Sequence, residues 1–262
     1  MALASSVIEQ LAGHLDAAEL EAREVVKITD AYPDMDWDDA YAIQDAIRRR
    51  KEARGCKIAG LKMGLTSRGK WDQMGVREPV YGFLTDQAAV PNGGAVDMSA
   101  LIHPKVEAEV AFVLKAPLEG GDCSIDQVLE ATDVVMPALE VIDSRYLNFK
   151  FDIKSVIADN TSAARYMVGG APRSPKGLDL RNLGIVLAKN GEVVATVAAS
   201  EVLGHPAESV ATLVRMLARR GQGLSAGTLV LTGGATAAVA VGRGDTVEVR
   251  CQDLGTAFLR FV

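Results

Sequence analysis

The segment "KVEAEVAFVLK", residues 105–115, decides how this chain folds. Apolar and charged residues alternate through its first half, and its second half is apolar on both faces. Alternation at period two marks a strand, and a strand apolar on both sides belongs inside a sheet. Glu107 and Glu109 nevertheless fall on one side of that strand, with Val106, Ala108 and Val110 on the other. A strand with one face in water would account for two such carboxylates. The apolar continuation "AFVLK" points instead to burial, and a second strand-like run, "VVMPALEVID" (134–143), carries Glu140 alone among apolar neighbours.

Three buried carboxylates sharing one neighbourhood lose hydration and repel one another, so they take up protons or weaken the fold. A hard divalent cation removes the conflict. Mg²⁺ accepts oxygen ligands, keeps some waters and leaves positions for a substrate. Glu107, Glu109 and Glu140 are therefore a candidate Mg²⁺ site, with Mn²⁺ as the alternative ion, although a Glu-x-Glu pair alone is a common pattern. Lys62, within the apolar run "GLKMGLTS", is either an edge residue reaching for water or a functional amine. The segment "DSRYLNFKFD" (143–152) and the "SVIADNTSAARYMVGG" soon after it mix aromatics with Arg145, Asp159 and Asn160. That mixture suits a loop over a site, and it suits a plain surface loop too.

The remaining chain sets the frame. It has 262 residues, 48% hydrophobic and 24% charged, an ordinary globular composition. No run of eighteen apolar residues occurs, so no membrane span is expected, and the start lacks the basic-then-apolar pattern of a signal peptide. Cys56, Cys123 and Cys251 are far apart and form neither a zinc spacing nor a disulfide framework, which suits a reducing cytoplasm. A net charge of -6 argues against a nucleic-acid partner. The basic cluster "RRRKEARG" (48–55) reads as a helix end capped by Gly55.

Helices are expected from Ser6, whose spacing to Glu9 suits a capping box ahead of Leu11 and Leu15, and from Asp36, with Ala40, Ile43 and Ile47 inward. Strands dominate from about residue 80. Asn190-Gly191 marks a hairpin, and a helix opens at Pro206, carries Val210, Leu213, Val214 and Leu217 inward, and closes at Gly221. The class is α+β, with a helical part over 1–75 and a β-rich domain over 76–262.

Taken in order, "KIAGLKMGLTS", "HPKVEAEVAFVLKAPL", "PALEVIDSRY", "VIADNTS" and "EVLGHPAESVATL" resemble the fumarylacetoacetase-like superfamily. They are most similar to the branch holding 2-oxopent-4-enoate hydratases and 4-oxalocrotonate decarboxylases. The resemblance implies a mixed β-sandwich-like roll behind a small helical part. It implies Glu107, Glu109 and Glu140 as metal ligands and Lys62 as the lysine beside the substrate. The His–Glu pair of the superfamily's C–C hydrolases is not found in this sequence. Within the branch, the hydratases carry an acid just before the aromatic-Gly of "EPVYGFL", where this chain has Val80. Hydration needs a base to orient water, and valine cannot serve. The implied activity is decarboxylation of 4-oxalocrotonate, a 2-oxo dicarboxylate, to 2-oxopent-4-enoate. Hydration of that product, or a non-catalytic partnership with the pathway hydratase, is the alternative. Arg145 would grip a carboxylate, with Val80, Asp159 and Asn160 beside the substrate. Leu147 stands where the branch suggests a glutamate, and no role follows for it.

Overall fold

The computed structural model describes residues 3–67, 71 and 78–262. Helices α1 (Ser5–Leu20) and α2 (Trp37–Ala53) come first. Then follow β1 (Ile58–Gly64), β2 (Val80–Thr85), β3 (Ala95–Val96) and β4 (Lys105–Leu114). Helix α3 (Ile125–Ala131) leads into β5 (Thr132–Ile142), and α4 (Ile153–Ala158) into β6 (Ala163–Val168). The hairpin β7 (Gly184–Lys189) and β8 (Glu192–Ala198) precedes α5 (Pro206–Ala218). The chain closes with β9 (Leu229–Leu231), β10 (Val239–Ala240), β11 (Thr246–Cys251) and β12 (Gly255–Phe261).

The strands form two sheets. The larger runs β2-β1-β9-β4-β5-β6, with β10 also on β4, and the smaller runs β3-β12-β11-β7-β8. The α+β expectation holds. The 75/76 boundary drawn from sequence falls outside the described residues. Ahead of it, β1 already lies inside the larger sheet, between β2 and β9. One apolar cluster takes in Leu15 of α1, Ile43 of α2, Val106 and Phe112 of β4, and Val249 of β11. Each fully buried Leu, Ile or Phe in it contributes roughly 1.5–3 kcal/mol.

Local chemistry explains several elements. Asp36 caps α2 through a reciprocal box with Asp39. The box expected at Ser6 does not form: α1 begins a residue earlier and Ala4 offers no capping side chain. Burial of Leu11, Ala12 and Leu15 fixes that helix instead. Pro206 starts α5, His205 Nδ1 accepts from the Ala207 amide, and Gly221 follows the helix with a φ of 68°. Asn190 and Gly191 adopt φ values of 55° and 86°, as a two-residue hairpin turn between Lys189 and Glu192 requires. Among the described residues no helix is long and apolar enough to cross a membrane.

Asp245 clamps that hairpin. Its carboxylate accepts from Asn190 Nδ2 at 2.8 Å and from the Gly242 amide at 2.7 Å, and lies 2.8 Å from Lys189 Nζ. These donors, Lys189 first, hold its carboxyl down to about 2 from an ordinary 3.8. A carboxyl depressed by folding adds stability above its unfolded value and loses it as pH falls through the folded one. Asp245→Asn is expected to lower stability near neutral pH by about 1 kcal/mol. In urea unfolding the gap between variant and parent should close as pH falls from 3.8 toward about 2. A gap that stays constant across that window would contradict the clamp.

Candidate metal centre and active site

Strand register gathers the acidic residues. Glu107 on β4 stands directly opposite Glu140 on β5, and Glu109 follows two residues along the same face. On the other flank, Ala111 pairs with Leu231 of β9, and Leu231 pairs with Lys62 of β1. Paired residues share a sheet face, so Lys62 and the three glutamates project from one side of the larger sheet. The opposite side of β4, Val106, Ala108, Val110 and Phe112, is fully buried in the main core.

All four site residues are shut from water: Glu107 is 6% exposed, Lys62 3%, and Glu109 and Glu140 0%. Oxygens of the three carboxylates lie within 4.8 Å of one another. The Gly233 amide donates to Glu109 Oε2 at 2.7 Å. Among the described residues Glu109 Oε1 and both Glu140 oxygens have no hydrogen-bond partner, although Lys62 Nζ sits 3.0 Å from Glu140 Oε1. Burial pushes the Glu109 carboxyl well up, helped by Glu140 and Glu107 and opposed by Lys62. Burial also raises Glu140, against the pull of Lys62. Among the described residues Lys62 brings one ammonium to Glu140 in this cluster of buried acids. Orphaned oxygens at this spacing suit a hard divalent cation, and the donor set, all carboxylate oxygen, is the one Mg²⁺ prefers.

A strained turn steadies the lysine. Asn160, Thr161 and Ser162 all take left-handed backbone angles, with φ of 47°, 50° and 60°. Each such residue costs roughly 1–2 kcal/mol. The Asn160 amide offsets this by pairing with both main-chain groups of Phe83 on β2, at 2.8 and 3.0 Å. The turn thereby delivers the Thr161 carbonyl to Lys62 Nζ at 3.1 Å. Gly82 makes the approach possible: a Cβ there would lie 2.4 Å from Thr161 Oγ1 and 2.8 Å from the Asn160 carbonyl. Sequence reading passed over Thr161, because no spacing rule marks a carbonyl contact.

The other expected residues divide between the site face and the loop beneath it. Val80 is 1% exposed and stands opposite Gly64, on the Lys62 face of the sheet. Arg145 is buried with its guanidinium committed inside the protein. Its Nε donates to Asp159 Oδ1 at 2.5 Å, Nη1 to the carbonyls of Asp143 and Ala163, and Nη2 to the Asp159 carbonyl. A buried charge needs such partners, so Arg145 and Asp159 brace the loop under Asn160 where a substrate grip was expected. Leu147 is 48% exposed, with its main chain bonded to Val25. Two buried hydroxyls, Thr66 Oγ1 and Ser162 Oγ, lack partners among the described residues and were not singled out in the sequence.

Residues 62–262 match the family described as fumarylacetoacetate (FAA) hydrolase C-terminal. A 4-oxalocrotonate decarboxylase of Pseudomonas sp. (strain CF600) is 57% identical over 252 residues, 96% of each chain. A 2-keto-4-pentenoate hydratase of Paraburkholderia xenovorans (strain LB400) is 38% identical, over 97% of this chain and 94% of its own. Among solved structures, the 4-oxalocrotonate decarboxylase from Pseudomonas putida G7, complexed with magnesium and adipate, superposes with a TM-score of 0.97 at 54% identity, covering 99% of each chain.

Two measurements probe this geometry. Saturating Mg²⁺ is expected to raise the melting temperature by about 5 °C or more, since a ligand at a hundred times its Kd adds roughly 2.7 kcal/mol. Glu109→Gln should abolish that rise while melting higher than the parent in chelator, because one repelling charge is gone. A Mg²⁺ response that survives the substitution would contradict the site. Gly82→Ala should displace the Asn160–Ser162 turn and reduce turnover at least about tenfold, with unfolding by circular dichroism still cooperative. Unchanged turnover would show that the turn does not position Lys62.

Proposed function

The chain belongs to the fumarylacetoacetate hydrolase family, and from that membership and its buried acidic site we infer that it decarboxylates 4-oxalocrotonate in a Mg²⁺-dependent reaction. The single observation that carries the reading is the convergence of Glu107, Glu109, Glu140 and Lys62 on one sealed sheet face, in a chain 57% identical to a decarboxylase. Adipate, held with magnesium by the Pseudomonas putida G7 decarboxylase, is a six-carbon dicarboxylate, as is 4-oxalocrotonate.

Glu107, Glu109 and Glu140 would hold the cation, which when bound supplies a Lewis acid to the 2-oxo end of the substrate. The remaining chemistry falls to the chain. In 2-oxo-3-hexenedioate the C5–C6 bond breaks, CO₂ departs, and the electron pair passes through the conjugated carbons to the 2-oxo oxygen. Lys62, oriented by Glu140 and the Thr161 carbonyl, would polarise that oxygen and return a proton at C3, giving 2-oxopent-4-enoate. Val80 presents an apolar wall and no base for water, which favours loss of CO₂ over hydration. Arg145, Asp159 and Asn160 support the turn that aims Lys62.

The reading extends to partners. The product is a 2-keto-4-pentenoate, the compound named in the 38% identical hydratase, so a hydratase that consumes it is the partner this chemistry favours. The three unpaired thiols suit a reducing cytoplasm. Retention of the acidic triad and Lys62 supports catalysis over an idle subunit role.

Purified protein mixed with Mg²⁺ and 4-oxalocrotonate is expected to release one CO₂ per substrate and to stop in chelator. Lys62→Met should lower kcat about 10²–10⁴-fold while Mg²⁺ still raises the melting temperature. Turnover that persists in chelator, or water added to 2-oxopent-4-enoate without CO₂ release, would overturn the decarboxylase reading; the second result would establish the hydratase.

A further inference from the structure

One charged residue on the site face takes no part in the chemistry above. The face of β4 that carries Glu107 and Glu109 also carries Lys105, two residues before Glu107. That places its Cα roughly 7 Å along the strand from that of Glu107. Lys105 is paired in register with Ile142 on β5 and Ala240 on β10. Its ammonium lies 4.0 Å from the centre of the Phe149 ring. Among the described residues no carboxylate forms an ion pair with it.

The ring is held there with effort. Asn148 and Phe149 both adopt left-handed angles, φ of 56° and 58°. Phe149 also packs at 5.1 Å on His103, the residue two places before Lys105. His103 Nδ1 lies 3.1 Å from Glu24 Oε1, and its buried Nε2 has no partner among the described residues. The sequence "HPKVEAE" thus lays out an imidazole and an ammonium around one aromatic ring, followed along β4 by the acidic cation site.

A ligand that matches both ends is a short molecule anionic at each end, one end chelated at the acidic cluster and the other beside Lys105. We propose that Lys105, backed by His103, forms the subsite for the distal carboxylate of the substrate and so selects dicarboxylates over monocarboxylates. The proposal rests on the decarboxylase reading for the orientation of the substrate. The ammonium faces charge that leaves with CO₂. It stabilises the bound substrate at least as well as the transition state, so its loss should raise KM with no large fall in kcat. Seating the ammonium on a ring moderates its grip on the departing group.

The test uses full-length protein saturated with Mg²⁺ and two unreactive probes of equal length, 2-oxoadipate and 2-oxohexanoate, which differ only in the distal carboxylate. By calorimetry the parent should bind 2-oxoadipate at least about tenfold more tightly, the scale of one added charge-assisted contact. Lys105→Met should erase that preference by weakening 2-oxoadipate alone, with the affinities for 2-oxohexanoate and Mg²⁺ unchanged. Lys105→Arg should retain part of it. In turnover, Lys105→Met should raise KM for 4-oxalocrotonate at least about tenfold and leave kcat within about twofold. A parent with no preference between the probes, a Lys105→Met protein that keeps it, or equal losses for both probes would overturn the proposal. The binding arm needs no turnover. Absent CO₂ release with an intact preference would remove the assigned reaction and leave the dicarboxylate subsite standing.

Discussion

Mutual repulsion among three buried carboxylates is the constraint around which this molecule is arranged. Glu107, Glu109 and Glu140 are each almost or wholly removed from water, and burial raises the carboxyls of Glu109 and Glu140, Glu109 well above its usual value. Leaving an unpaired charge in such surroundings costs several kcal/mol. The fold sustains the cluster because the larger sheet surrounds it with paired strands, and because Lys62 and the Gly233 amide reach it from β1 and from the chain after β9. Carboxylate oxygens gathered within 4.8 Å of one another suit a small, highly charged cation.

The sheet divides its labour by parity. Even-numbered positions on β4 fill the main core, while odd-numbered ones build the site. Beside the carboxylates, a small apolar cluster of Leu84, Ala111, Ala138, Tyr166, Leu229 and Leu231 occupies the site side of the same sheet. A low-dielectric surround of this kind strengthens every charge interaction within it and keeps water from the reacting centre. The strained turn at Asn160–Ser162 belongs to the same design. Its conformational cost is met by hydrogen bonds to β2 and by the Arg145–Asp159 brace behind it.

Much of this was legible from residues alone. Side-chain alternation placed Glu107 and Glu109 on one face, and the lone acid in an apolar run flagged Glu140. Their meeting was not legible, because the register that sets Glu107 against Glu140 depends on pairing along two long strands and on a bulge near Leu114. Lys62 stood out as a charge inside an apolar strand, whereas its contact with the Thr161 carbonyl depends on left-handed angles that no glycine announces. Arg145 was read as a substrate grip because loop arginines often are. Its pairing with Asp159, fourteen residues on, follows no helical or strand period. The cap expected at Ser6 failed for a related reason: core packing, not the local motif, sets where α1 begins.

The most direct test is an anomalous diffraction measurement on crystals of the protein grown with Mn²⁺. The expected result is a single strong peak within bonding distance of carboxylate oxygens from Glu107, Glu109 and Glu140 together. A map with no peak there, or with Mn²⁺ bound only at other acids, would contradict the claim that these residues form one cation site.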